Sequence, residues 1–243
     1  MATFNREYHE THEAGAQHTV EFCRAHDVRR VWFTSSIAVY DPSELPKDEA
    51  SELMPVFAYG KSKARAEEIH RMWAEERDTR RLVVVRPATV FGPGEGGNFT
   101  RLAKALRSCT FVYPGRRTTQ KACGYVEELV GSLLYMEAFA APVITYNFGY
   151  PTPPTIEEIV DAFRYVAGYP KPLGTVPLGP VLHVGRILKA LGVTTSDPER
   201  IAKFAHSTNV TPRQLIDKSY PCRTDLVAAL GQWYQEAPAG AFD

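Results

Sequence analysis

A chain of 243 residues with 44% apolar and 23% charged side chains is long enough to bury a sizeable core in one or two globular domains. Its 28 basic residues balance 28 acidic ones, so the zero net charge builds in no bulk attraction to nucleic acid or to an anionic membrane. Cys23, Cys109, Cys123 and Cys222 are far apart and form no CxxC pair. That argues against a zinc site or disulfide framework and fits a reducing compartment; with no apolar leader and no run of about 18 apolar residues, the expectation is a cytoplasmic protein.

The first element predicted is a helix over residues 6–26, where Tyr8, His12, Ala16, Val20 and Phe22/Cys23 recur at near-helical spacing. The seven histidines show no metal-ligand spacing, so no metal is expected, and His9, His12 and His18 read as surface or packing residues of this helix. A strand over Arg30–Thr34 follows, then an acidic, proline-containing loop from Asp41 to Pro55. The next helix starts near Phe57 and runs through Ile69, Met72 and Trp73 into a charged stretch, after which Leu82–Val85 is a continuous apolar strand of the kind buried on both faces. Helices over Asn98–Leu106 and Tyr125–Ala138, a strand over Pro142–Gly149, and a capping box at Thr155-Ile156-Glu157-Glu158 opening a helix to about Val166 complete the regular part. Beyond Gly168 the chain becomes proline-rich, with amphipathic segments at 181–191 and 197–206 and a helix start at Thr211-Pro212. Alternating helices and strands give an α/β fold with a mostly parallel sheet over residues 1–150, and residues 151–243 form a smaller, mainly helical lobe.

Chemistry concentrates around three residues. Tyr59 and Lys63 lie four apart at the start of a helix and so share one face. A phenol working as acid and base near pH 7 must have its ionised form favoured by about three pH units, roughly 4 kcal/mol, and an ammonium one turn away supplies part of that. Ser36 follows the apolar run Val31-Trp32-Phe33, which places its hydroxyl at the C-terminal end of a parallel strand, where ligands of open α/β sheets bind.

The wider order is more specific than the pair. Thr34-Ser35-Ser36, then Ala38-Val39-Tyr40, the acidic loop, Tyr59-Gly60-Lys61-Ser62-Lys63, the strand ending Arg86-Pro87, and Val90-Phe91-Gly92-Pro93-Gly94 follow one another. Over nearly the whole chain this series resembles the NAD-dependent epimerase/dehydratase branch of the extended short-chain dehydrogenase/reductase superfamily, which acts on nucleotide sugars. The resemblance implies a Rossmann-like fold, NAD or NADP as cofactor, and a nucleotide-sugar substrate. It makes Ser36, Tyr59 and Lys63 catalytic: Tyr59 the acid/base, Lys63 lowering its pKa and gripping the nicotinamide ribose, Ser36 bonding the reacting hydroxyl or carbonyl. Ser36 is chosen over Ser35 because the family's serine lies three residues before the valine of Val39-Tyr40.

The same resemblance puts Thr34, Ser35, Arg86, Pro87, Ala88 and Val90 beside the cofactor, and Asn98 and Lys121 beside the sugar and diphosphate. Asp41 replaces a usual glycine, Ala88 and Thr89 stand where an asparagine is frequent, and Lys121 takes the place of an arginine, losing the bidentate fork. The family's first strand, glycine-rich turn and ribose-gripping acid are not recognisable in the sequence, so the N-terminal βαβ half is expected to be missing and cofactor binding to require it. The only dense glycine cluster, Gly92 to Gly97, comes after the catalytic residues and reads as a substrate-side loop. A Val31–Thr34 strand without its neighbour leaves a sheet edge that invites homo-oligomerisation or edge pairing. Two other readings stand beside the first: a hydroxysteroid-type dehydrogenase of the same superfamily, against which the polar and basic stretch Arg116–Lys121 speaks, and a truncated, non-catalytic fragment.

Overall fold

The computed structural model describes residues 8–180, 183, 206–237 and 242. The amphipathic segments expected at 181–191 and 197–206 lie outside the described residues, apart from positions 183 and 206, as does the start of the first helix at residues 6–7.

A π-helical turn, His9–Ala14, runs into α1 (Gly15–Ala25), which delivers the chain to β1 (Arg30–Thr34). A 3-10 turn at Ile37–Val39 and a short strand β2 (Ser43–Lys47) lead to α2 (Ala58–Glu75) and β3 (Arg81–Pro87). Then come β4 (Thr89–Phe91), α3 (Asn98–Arg107), β5 (Tyr113–Pro114), β6 (Cys123–Tyr125), α4 (Val126–Glu137) and β7 (Val143–Phe148). The chain continues through α5 (Ile156–Ala167), β8 (Thr175–Val176), β9 (Thr208–Val210), α6 (Arg213–Asp217) and α7 (Leu226–Glu236).

The central sheet has the order β1-β3-β7 and is parallel throughout, with Val31 opposite Leu82 and Leu82 opposite Val143. The short strands pair in parallel as well, β2 with β9, β4 with β6 and β5 with β8. This is the parallel α/β architecture expected from alternating apolar strands and amphipathic helices. Leu82 and Val84 of β3 face α1 and α2, where Ala16, Val20, Ala66, Ile69 and Trp73 bury them; Val83 and Val85 face the other way, onto Met136 of α4 and Leu215 of α6. Both faces of β3 are thus covered, which is why its sequence shows no polar alternation.

β1 has one neighbour among the described residues, and Trp32, 50% exposed, stands on its uncovered side. The capping box at Thr155 forms as the sequence predicts, with Thr155 Oγ1 accepting from Glu158 N and the Glu158 carboxylate accepting from Thr155 N, and α5 ends on Gly168 at φ 67°. A third apolar cluster joins Phe91, Phe99 and Tyr125 to Ile156, Phe163, Trp233 and Phe242, so α3, α5 and α7 share one core.

β2 is a strand the sequence does not suggest. Ser43-Glu44-Leu45-Pro46-Lys47 has neither β-branched residues nor apolar alternation, and its conformation is imposed by pairing with Thr208–Val210.

Candidate active site

Ser36, Tyr59 and Lys63 meet at the C-terminal end of β1. Ser36 is extended at φ −165° and caps the 3-10 turn, its Oγ accepting from Ala38 N at 3.1 Å. Tyr59 lies in the first turn of α2, and the Ser36 hydroxyl is close enough to favour its ionised form. What lets helix and turn approach this closely is Gly60: a Cβ there would sit 2.0 Å from the Ala38 carbonyl oxygen. Neighbouring Ser62 is buried and donates to the Tyr59 carbonyl at 2.9 Å.

Lys63 reaches back to β1, donating to the Thr34 carbonyl at 2.9 Å, and its ammonium stands 5.2 Å from the centre of the Phe33 ring. Burial pushes its pKa down. Burial also pushes the Tyr59 phenol up, opposed by the Ser36 hydroxyl and aided by Tyr8. With the ammonium turned to Thr34, Tyr59 is a neutral phenol, the form that donates a proton.

The other side chains named from the sequence are placed as follows. Ser35 is buried and its hydroxyl has no hydrogen-bond partner. Arg86 points into the interior, where Nε and Nη2 donate to the two carboxylate oxygens of Glu67 at 2.9 and 2.7 Å and Nη1 donates to Tyr40 Oη at 2.7 Å. Tyr40 Oη in turn donates to Asn147 Oδ1 at 3.0 Å, and Asn147 N donates to Glu49 at 2.8 Å. This buried chain ties α2, one turn beyond Lys63, to the residue that closes the Ser36 turn. Pro87 lies opposite Phe148 in the sheet, Ala88 packs with Ile37, Val39 and Ala64 under the Ser36 turn, and Val90 packs against the cluster beneath α4.

Asn98 is exposed at the first position of α3. Lys121 is half-buried and donates to the His206 carbonyl; burial pulls its pKa to about 8 against the pull of Glu44. The neighbouring basic residues are paired, Arg116 with Glu44 and Arg117 with Glu157. Nothing in these contacts joins Asn98 or Lys121 to the Ser36–Tyr59–Lys63 cluster.

The glycine loop is not a phosphate cradle. Gly92, Gly94 and Gly96 have φ of 148°, 77° and 55°, but the Glu95 carboxylate folds onto the N-terminus of α3 and accepts from Phe99 N and Thr100 N at 3.4 and 3.0 Å. The chain's own anion thus fills the place a pyrophosphate would take. Among the described residues no cluster of His, Cys, Asp and Glu is arranged to hold a metal, and no helix is long and apolar enough to cross a membrane.

Sequence reasoning missed three contributors. Glu67 and Asn147 escaped because their partners lie 19 and 107 residues away. His12 escaped because helical spacing alone gives a surface or packing residue; in the structure its ring meets that of Tyr59, centroids 5.4 Å apart.

A parallel α/β sheet with a serine, a tyrosine and a lysine one helical turn on gathered at its strand ends defines a Rossmann-like protein. The chain belongs to the NAD dependent epimerase/dehydratase family, whose model matches residues 2–149. It is 32% identical, over 143 residues, to N-acetyl-alpha-D-glucosaminyl-diphospho-ditrans,octacis-undecaprenol 4-epimerase of Escherichia coli O157:H7; the match takes in 58% of this chain and 43% of that protein. A second relative, the uncharacterized protein y4nG of Sinorhizobium fredii, is 26% identical over 76% of this chain and 46% of its own length. The chain therefore spans less than half the length of either curated relative. Among solved structures it is similar to MoeE5 in complex with UDP-glucuronic acid and NAD, at a TM-score of 0.71 and 22% identity over 95% of this chain and 73% of that one. The UDP-glucose 4-epimerase of Thermotoga maritima gives a TM-score of 0.71 at 18% identity over 94% and 69%.

Proposed function

We propose that this chain carries the acid/base half of an NAD-dependent epimerase or dehydratase acting on a diphosphate-linked sugar, first of all a nucleotide sugar. The observation that carries the reading is the gathering of Ser36, Tyr59 and Lys63 at the C-terminal end of β1, with Lys63 on the helix face of Tyr59 and bonded to the Thr34 carbonyl. Ser36 holds the sugar hydroxyl; Tyr59, once ionised to the phenolate that the Lys63 ammonium favours, takes the hydroxyl proton as the carbinol becomes a carbonyl, and the neutral phenol so formed returns it afterwards. NAD bound there would supply the hydride chemistry, reversible acceptance from the carbinol carbon.

The residues present fit the nicotinamide end of that cofactor, where the Thr34 carbonyl, the unpartnered Ser35 hydroxyl, Lys63 and the Pro87–Val90 backbone lie near the strand ends. Among the described residues they do not provide its phosphate end, since Glu95 occupies the one helix N-terminus there that follows a glycine-rich loop. We assign residues 151–243 mainly to the substrate side. The open edge of β1 suits pairing with a further strand or a second copy.

A second reading concerns what the diphosphate carries. The Escherichia coli relative acts on an undecaprenol-linked sugar, and here the segment leading into Tyr59 exposes Leu53, Met54, Val56 and Phe57. That apolar strip favours a lipid carrier over a nucleotide. Incubating the protein with NAD and either a UDP-hexose or an undecaprenyl-diphosphate hexose, and following the sugar by NMR, tests both. Epimer or dehydrated product from the first supports the nucleotide reading and from the second the lipid reading; turnover of neither, by a protein that NAD protects against thermal unfolding, refutes the assignment.

A further inference from the structure

Two rings at the start of the N-terminal helix meet the Tyr59 side chain: His12 of the π-helical turn before α1, and Tyr8, which caps that turn. A π turn inserts a residue into the helical ladder and is frequent at functional sites, because it re-aims the side chains beside it. Here it brings Tyr8 and His12 over the tyrosine. Their rings stack on one another with centroids 5.6 Å apart at 19°, and each meets the Tyr59 ring edge-on, at 5.5 Å and 66° for Tyr8 and 5.4 Å and 74° for His12.

His12 is also fixed by a hydrogen bond, its Nδ1 lying 2.8 Å from Ser62 Oγ. Ser62 has a single hydroxyl proton, and the Tyr59 carbonyl, 2.9 Å away, can only accept. Both bonds form at once only when His12 Nδ1 carries the hydrogen and donates it to Ser62. In the neutral ring the second nitrogen, Nε2, is then the basic one. The ring, the serine and the tyrosine backbone thus make one rigid unit.

We propose that His12 is a positioning residue for Tyr59: as a neutral imidazole bonded through Ser62, it holds the tyrosine ring where its hydroxyl meets Ser36, and its protonation in mild acid disrupts that arrangement. The inference rests on the acid/base reading of Tyr59. The groups around the imidazole are Tyr8, with Glu10 and Glu13 on its own turn, and Tyr59, Ser62 and Lys63 on α2. Burial and the Lys63 charge both push its pKa below the ordinary 6.5, which keeps the ring neutral at pH 7. Protonation at Nε2 leaves the Nδ1–H bond to Ser62 in place and changes the charge: it would set a second cation beside the half-buried Lys63 ammonium, and that repulsion is what displaces the ring.

NMR of the full chain with ¹⁵N-labelled histidine tests the arrangement without turnover. The expected result is an Nδ1–H tautomer and a pKa below 6.5 that rises in Lys63→Met; an Nε2–H tautomer, or no response to Lys63→Met, overturns the proposal. Kinetics tests the role. His12→Leu fills the space without a donor and should lower kcat roughly 10- to 100-fold with KM nearly unchanged, as loss of positioning does. His12→Asn keeps a donor near the Nδ1 position and cannot titrate, so it should recover most of the rate at pH 7 and lack the fall in kcat that the wild type shows in mild acid. Wild-type kcat in His12→Leu, or an acid limb that persists in His12→Asn, overturns the proposal even if one variant fails to fold. Tyr59→Phe separates the two levels: if it is active, the acid/base reading itself falls; if it is inactive while His12→Leu behaves as wild type, only the role of His12 falls.

Discussion

Replacing Gly60 by alanine pits two effects of opposite sign against each other. Gly60 is the third residue of α2, and helix propensity alone favours alanine there by about 1 kcal/mol. The surroundings oppose it: the new Cβ would lie 2.0 Å from the Ala38 carbonyl oxygen, 2.9 Å from its carbon and 3.1 Å from Pro55 Cβ. Acceptable Cβ contacts begin near 3.0 Å, so helix and turn must separate by at least about 1 Å, and the obstacle is backbone, which has no rotamer to change. Overpacking of this kind costs about 3 kcal/mol at the upper end of its usual range. The net loss is then about 2 kcal/mol, or roughly 4–8 °C in Tm for a chain of this size. The same separation pulls Tyr59 from Ser36, and a 1 Å misplacement costs about 100-fold in rate. Differential scanning calorimetry of Gly60→Ala beside the wild type reads the sign directly. An unchanged or raised Tm would show that the contact of α2 with the Ser36 turn is not as close as described, and the geometry assigned to the site would fall with it.

Glu67→Ala leaves Arg86 charged and buried without its carboxylate, which should destabilise the fold by about 3–5 kcal/mol in urea unfolding, and Glu67→Leu with Arg86→Met should recover a large part of it; equal stability of the single variant and wild type would contradict this. Lys121 has a folded pKa of about 8 against an ordinary 10.5, so between those values the unfolded chain binds more protons and stability must rise with pH. Lys121→Gln should remove this contribution, and a Tm–pH slope unaltered from pH 8 to 10 would disprove it. Trp32→Lys puts a charge on the open edge of β1 and should weaken self-association in sedimentation velocity while leaving the far-UV circular dichroism unchanged. A wild type that stays monomeric at high concentration would count against an associating edge.

Elements whose signal is local were readable from the sequence. Leu82–Val85 shows itself as a strand because burial on both faces demands an unbroken apolar run, Val143–Phe148 because it is rich in β-branched and aromatic residues, and the Thr155 capping box specifies its own helix start. Ser36, Tyr59 and Lys63 were visible because they lie within 28 residues and carry recognisable spacing. What brings them together was not. Gly60 looks like any helix-start glycine until the Ala38 carbonyl is seen against it, and Arg86 reads as a strand end until Glu67 and Tyr40 turn it inward. β2 and the contact of His12 with Tyr59 depend on partners distant in sequence, Thr208–Val210 in one case and the start of α2 in the other. Periodicity reports which face is buried, and it is silent about what the face is buried against.

The central claim is that Tyr59 moves the proton. At saturating NAD and sugar substrate, wild type and Tyr59→Phe are compared in turnover and in thermal unfolding. The substitution removes one oxygen from a half-buried ring, so the account predicts an unchanged Tm within a few degrees and a loss of about 100- to 10,000-fold in kcat. A Tyr59→Phe protein that folds and turns over at the wild-type rate would contradict it.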